Sequence, residues 1–458
     1  MPSLPSETPV EPEESNQLSR RGFLRAAGVA GLTGVAATLA ACQASTTPQW
    51  SFGPAASAGT ASAAPSAAAP SAAPSVAPSV APSVAPSAAP SASAAPSASL
   101  PANLPAGWTA HDVAAREVVR RYVGNLAPAL KGVYGDAVFN KMAEILGAAD
   151  NYPELTKKPS FVQVPNLVVT DLLTPLKPTT DPDGYLHFDM TVDDFDWQID
   201  EMKAPVKATG YNKQWPGPTI RVKEGDKVRA VFTNNREETT GVHFHGVEFE
   251  NFFQDGVPFV TQLPIAPGEK YTYEFTATRP GSLMYHSHHN ATDQVGRGQL
   301  GAFIVDAAKP KPWEKEVTDS GGFDYTWISN DALGGFTING HGFPATVPVL
   351  AALGQTVRIR FMERRHDVAS VALHGYKMTV RSIDGYDLEN PYDVDVLSVG
   401  PGERWDVTIK ADRLGIWAFH CHILPHVEGA DGMFGMVNTL IVVPKAEHIT
   451  AILGLLTA

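Results

Sequence analysis

Between Trp417 and Met436 the chain reads W-A-F-H-C-H-I-L-P-H-V-E-G-A-D-G-M-F-G-M, a dense run of imidazole, thiol and thioether side chains. Trp417, Phe419, Cys421 and Ile423 alternate with Ala418, His420 and His422, the period of a β-strand. Successive side chains on a strand point to opposite faces, so His420 and His422 look one way and Cys421 the other. A soft thiolate followed by His426 and a methionine, Met433 or Met436, suits copper in an electron-transfer site. The two imidazoles on the opposite face suit a second copper centre, joined to the first by covalent backbone.

Two more histidine pairs lie upstream. Gly241-Val242-His243-Phe244-His245-Gly246 is followed by Tyr285-His286-Ser287-His288-His289. Histidines two apart on a strand share a face and can converge on metal. Twelve of the fourteen histidines fall at or after His243, where this chemistry would be. The segments that must position them read as strands. Leu186, Phe188, Met190 and Val192 alternate with polar residues, and Glu224-Gly225-Asp226 turns the chain before Val228 and Val231. The rhythm recurs at Gly354-Gln355 and at Val357, Ile359 and Phe361. Short strands broken by Gly/Pro turns imply sandwiches or small barrels. Two β units are expected, at about 185–308 and 320–445, with a linker at 309–319 and a tail at 446–458.

H-C-H-x-x-x-H followed by Gly-Met resembles the last copper motif of the multicopper oxidases, of the two-domain, laccase-like type. The resemblance extends through Asp255-Gly256-Val257-Pro258, Pro267-Gly268 and Asp293-Gln294-Val295-Gly296-Arg297-Gly298. It implies an all-β fold of two cupredoxin domains, Greek-key β-sandwiches, with no room for the third domain of larger laccases. It also implies roles. His243 would bind type 2 copper, and His245, His286, His288, His374, His420 and His422 the type 3 pair. Cys421 and His426 would hold type 1 copper, with Met433 as axial thioether and Met436 as the fallback. Asp255 falls where many members keep a proton-relaying carboxylate.

The chain departs from the family at H-P-x-H-L-H-G. Aligned on Leu373-His374-Gly375, Ala369 stands in place of a type 1 histidine and Ala372 in place of a type 2 histidine. His366 is a candidate substitute, and His341 and His289 are weaker candidates from outside the motif. The resemblance implies an oxidase that takes single electrons from a reducing substrate and reduces dioxygen to water, passing electrons from Cys421 to His420 and His422. The donor would be a phenol, a metal ion or an extracytoplasmic redox protein. A homotrimer is expected, each oxygen site lying between the first domain of one chain and the second of the next. The alternatives are a copper-sequestering lipoprotein without turnover and a copper nitrite reductase. The latter family carries its thiol in the first domain, where this chain has Ser287.

The N-terminal third carries no such chemistry. Ser-Arg-Arg-Gly-Phe-Leu-Arg at 19–25, a mild apolar run and Leu-Ala-Ala-Cys ending at Cys42 look like a twin-arginine lipoprotein signal peptide over 1–41. Cys42 would be the lipidated mature N-terminus, anchoring an extracytoplasmic protein to the membrane. The Ala/Pro/Ser repeats of 42–106 cannot bury enough apolar surface to fold. At about 3.1 Å per residue they form a tether reaching on the order of 150 Å. Over 107–184, a capping box at Thr109 and Asp112 predicts a helix to Pro128, and a second helix is expected from Asp136 to Leu146. His111 and His187 read as structural. With Cys42 and Cys421 the only cysteines, no disulfide is expected. A formal charge of −13 argues against a nucleic-acid partner.

Overall fold

The computed structural model describes residues 108–146, 175–200, 203–331, 335–363, 369–430 and 432–456. The signal, Cys42 and the tether lie outside the described residues, as does His366. The first element is helix α1, Ala110–Ile145, opened by the expected capping box: the Thr109 N–H donates to Asp112 and the Asp112 N–H to Thr109 Oγ1. The expected stop at Pro128 is not made. One helical run continues past position 128, and its break falls at Gly135 (φ 78°). The reason is burial. Val118, Tyr122, Leu126 and Leu130 form one stripe against the second sandwich. Each large apolar side chain so buried contributes about 1.5–3 kcal/mol, against roughly 3 for one interior proline. The Tyr122 and Thr439 hydroxyls meet at 2.6 Å, and Tyr134 Oη donates to the Val442 carbonyl at 2.8 Å, so the helix is riveted as well as packed.

The first sandwich holds β1 (Thr179–Thr180), β2 (Tyr185–Trp197), β3 (Val206–Tyr211), β4 (Gly217–Lys223), β5 (Lys227–Asn234), β6 (Val242–His245), β7 (Lys270–Thr276), β8 (Gly281–Ser287) and β9 (Leu300–Asp306). A short helix, α2 (Ala291–Gly296), lies between β8 and β9. One sheet runs β1-β2-β5-β7 with β3 on β2, and the other runs β4-β9-β8-β6. Alternation does what the sequence asked: Val228, Ala230 and Phe232 of β5 are fully buried while Lys227 is exposed. The sandwich begins earlier than position 185, because β1 pairs with β2 and Pro175 bridges to Thr219.

The expected linker at 309–319 contains a helix, α3 (Pro312–Asp319), whose Val317 is buried. The second sandwich follows: β10 (Asp324–Asn330), β11 (Thr337–Ile338), β12 (Val349–Ala352), β13 (Thr356–Glu363), β14 (Ala369–Leu373), β15 (Met378–Ile383), β16 (Tyr386–Val394), β17 (Val396–Val399), β18 (Arg404–Lys410), β19 (Gly415–Cys421), the hairpin β20 (Glu428–Gly429) and β21 (Gly432–Met433), and β22 (Val437–Val443). Its sheets run β11-β10-β13-β18-β15-β16 and β12-β22-β19-β14-β17. The expected tail is helix α4 (Ala446–Leu456), which buries Ile449, Ile452 and Leu453 in the same core. Among the described residues no helix is long and apolar enough to cross a membrane.

The two sandwiches are copies of one pattern. β2 is parallel to β5 and β5 antiparallel to β7, as β10 is parallel to β13 and β13 antiparallel to β18. β4, β9, β8 and β6 likewise match β12, β22, β19 and β14 in order and direction. They meet through a buried ionic network. Val357, Ile359 and Phe361 of β13 face the second core, which turns Arg358 and Arg360 toward the first sandwich. Arg358 Nη2 donates to Asp406 at 2.6 Å, and Arg360 donates to Asp324 at 2.8 Å and to Ser282 Oγ on β8 at 2.8 Å. Arg221 on β4 reaches Asp324 at 3.1 Å.

Burial alone would raise the Asp406 pKa, but Arg358 and Arg360 outweigh it and hold the carboxyl below its ordinary 3.8; Asp324 is lowered for the same reason, with Arg221 adding to the effect. A lowered carboxyl stabilises the fold fully above pH 3.8 and loses that contribution as pH falls through the folded value. The urea midpoint should therefore drop as acid is added below that point. Asp406→Asn should cost about 3–5 kcal/mol at neutral pH, because it leaves buried arginine charge uncompensated.

Candidate metal centres

In the first sandwich the antiparallel register sets His243 opposite His286 and His245 opposite Met284. Val242, Phe244 and Tyr285 fill the core, so the histidines emerge on the other face. The donor atoms of His243, His245 and His286 all lie within 4.8 Å of one another, the one such group among the described residues. The His288 ring stands 5.6 Å from that of His243. The Asp255 loop is drawn over β6 by Gly256: at φ 82° its Cβ position would fall 1.8 Å from the Val242 carbonyl oxygen, so only glycine passes there. This sets the Asp255 carbonyl 2.8 Å and its carboxylate 3.3 Å from His243 Nδ1. His286 gives its Nδ1–H to the Ser287 carbonyl at 2.8 Å, leaving Nε2 with the lone pair. That atom lies 3.3 Å from His245 Nδ1. Converging imidazole nitrogens with their outer N–H groups bonded to carbonyls have the arrangement of metal ligands.

In the second sandwich the register pairs Val371 with Cys421 and Ala372 with His420. Cys421 and Phe419 point into the core with Ala369 and Val371, while His420 stands on the outer face. His420 donates Nδ1–H to the Cys421 carbonyl at 2.8 Å, and its Nε2 lies 3.0 Å from His374 Nε2. His420 and His422 stack at 6.0 Å. Burial first, then the neighbouring His374 and His422, hold the His420 pKa below its ordinary value, favouring the neutral, metal-binding form. His374 and His422 are exposed and line an open pocket of about 530 Å³ with Ala372, Asp395 and Val396. Because β6 and β8 match β14 and β19, Ala372 occupies the place of His243, His374 that of His245, His420 that of His286, and Cys421 that of Ser287.

On the inner face Cys421 Sγ lies 3.5 Å from His426 Nδ1, and both residues are buried. A thiolate and an imidazole so placed can share one ion. Ala369 is on this face and 1% exposed, so the position where the family pattern has a histidine is filled by a buried methyl group. Met436 is fully buried; its N–H donates to the His426 carbonyl, and its carbonyl accepts from the Cys421 N–H. Met433 sits half-buried on β21, paired with Glu428. Phe336, whose ring stacks on His426 at 4.2 Å, was not legible in the sequence, because no spacing rule links positions so far apart.

Three other histidines are engaged elsewhere. His289 bonds Thr239 at 2.8 Å. His341 is buried against Trp197, bonded to the Ile199 carbonyl, and burial pushes its pKa down to about 4. His187 bonds Asp181 at 3.0 Å, in the structural role expected of it.

Two cupredoxin-like sandwiches bearing imidazole clusters and a buried Cys–His pair define a copper-protein class. Family models described as multicopper oxidase match residues 192–310 and 310–442. The multicopper oxidase mgLAC is 35% identical with a TM-score of 0.53, over 56% of this chain and 86% of that one. The blue copper oxidase from Nitrosomonas europaea is 31% identical with a TM-score of 0.54, over 56% and 85%. Dihydrogeodin oxidase of Aspergillus terreus is 30% identical over 55% of this chain and 43% of its own length. The chain spans less than half the length of that relative. The chain belongs to the multicopper oxidase family.

The imidazole triad makes a direct test possible. His286→Ala should weaken copper binding at this cluster by at least the roughly 10–100-fold that losing an outer-shell partner costs, with the sheet circular dichroism unchanged. Calorimetric copper titration measures it.

Proposed function

We propose that this chain is a laccase-like oxidase that couples one-electron oxidation of a reducing substrate to reduction of dioxygen to water. One observation carries the reading: at the end of β19, Cys421 faces inward beside His426 while His420 and, just past the strand, His422 face outward, so two centres are joined by one residue's backbone. When bound, copper at these residues supplies one-electron acceptance and the reduction of dioxygen. Cys421 and His426 would hold the electron-accepting ion, with Met433 or Met436 beside them. His243, His245, His286, His288, His374, His420 and His422 would hold the oxygen-reducing cluster. Asp255, its carboxylate partly exposed and 3.3 Å from His243, is suited to bring protons in from solvent.

The oxygen site is divided. The triad on the first sandwich does not include His374, His420 or His422. His288, His374 and His422 are left exposed. Exposed apolar side chains lie in the same segments: Phe253, Phe259 and Leu263 flank Asp255 in the chain, Val396 lines the pocket with His374 and His422, and Leu424 follows His422 by two residues. A homotrimer, each chain's first sandwich facing the next chain's second, would join the halves and cover these surfaces. The signal and Cys42 support an extracytoplasmic, lipid-anchored location.

A second reading, copper sequestration without turnover, is favoured by Ala369 and Ala372, whose methyl groups cannot coordinate metal. Oxygen uptake by the copper-loaded protein with a chemical reductant separates the two. Uptake beyond one equivalent per chain supports the oxidase; bound copper with no uptake supports sequestration. Ala372→His should raise copper content at the outer cluster, and Ala369→His should strengthen the blue absorption. Unchanged copper content and spectra in both would mean that other residues already supply those ligands.

A further inference from the structure

The loop that closes over His426 does not stand alone. After His426 the chain forms the β20–β21 hairpin and returns through Phe434, Gly435 and Met436, whose backbone bonds Val427 and His426. The first turns of α1 lie directly on this hairpin. Gly432, at φ 94°, has its Cβ position 2.4 Å from Ala115 Cα, so helix and hairpin backbones are as close as any side chain would allow. His111 fastens the seam: Nδ1 lies 3.1 Å from the Ala430 carbonyl and Nε2 3.3 Å from Glu428 Oε1. Further along, the Tyr122 ring lies 4.7 Å from that of Phe343, whose N–H donates to the Gly435 carbonyl. The helix thus presses on the ligand loop at both ends of its return. Beneath it His426 is 6% exposed, with Phe336 stacked on its ring.

We propose that α1 is a clasp over the Cys421–His426 centre and sets which electron donors that centre accepts. This rests on the assignment of that pair as the electron-entry site. With the clasp closed, an aromatic donor cannot lay its hydroxyl against the His426 edge. Donors that deliver an electron across the surface, such as a small redox ion, are served without opening. A bulky phenol must wait for α1 to lift, and opening an edge held by few contacts is a local event independent of global unfolding.

The test reads Cys421 itself. In the full chain carrying Cys42→Ser, Cys421 is the only thiol, and its rate of reaction with iodoacetamide is measured without copper. The parent should react slowly. Ala115→Trp, which wedges the seam at Gly432, should speed the reaction about tenfold or more, and His111→Ala combined with Glu428→Gln by a smaller factor. Should Ala115→Trp fail to fold, the double variant decides. Unchanged rates in the folded variants would overturn the clasp. In the copper-loaded chain the same variants should raise the rate with 2,6-dimethoxyphenol relative to ferrocyanide, and an unchanged ratio would overturn the role in donor choice. Failure of the oxidase assignment is separately visible as no turnover with either donor, because the thiol measurement does not depend on it.

Discussion

The pleat of one strand governs the chemistry. Because side chains alternate along β19, Cys421 cannot point where His420 and His422 point. The thiol enters the dry core and the imidazoles emerge at the surface. A one-residue slip would exchange the faces and destroy both centres. Register is fixed by burial: Phe419 and Cys421 are fully buried, with Val371 and Leu373 of β14 packed on the same face. The hydrophobic pattern that folds the second sandwich is therefore also what aims the candidate ligands.

One strand pattern used twice gives the architecture and makes its asymmetry informative. The same strand order and directions recur, so each ligand position in one sandwich has a counterpart in the other. Ser287 where Cys421 would stand leaves the first sandwich without a thiol centre. Ala372 where His243 would stand leaves the second short of an imidazole. The sandwiches share one frame and differ in residue type at a handful of outward or inward positions. The buried arginines of β13 lock the two copies together and run to Ser282 on β8, the strand that also carries His286.

Helix α1 reaches the loop of a candidate site without touching its candidate ligands. Its apolar stripe joins the second core, and this attachment decides where its first turns lie. Those turns rest on the hairpin that follows His426, so packing energy gathered along the helix is delivered to the loop of the centre.

Much was legible in the sequence, because strand alternation and metal-ligand chemistry are local. The all-β class, the two units and the opposed faces of 420–422 follow from period and residue type alone, whereas the histidine gap at Ala369 and Ala372 is legible only against the family motif. The helix across position 128 was not legible, since propensity there is overridden by a stripe whose burial depends on a distant sheet. Nor were α3 and α4, whose helical character is fixed by single buried faces in segments too short to show a clear period. Tertiary structure alone decided that Phe336 caps His426, that His111 clamps Glu428, and that Arg358 and Arg360 join the sandwiches. Each of these joins residues far apart in the chain or in different elements. Such pairings are chosen by how packed layers come together in space, and no local pattern of residues records that choice.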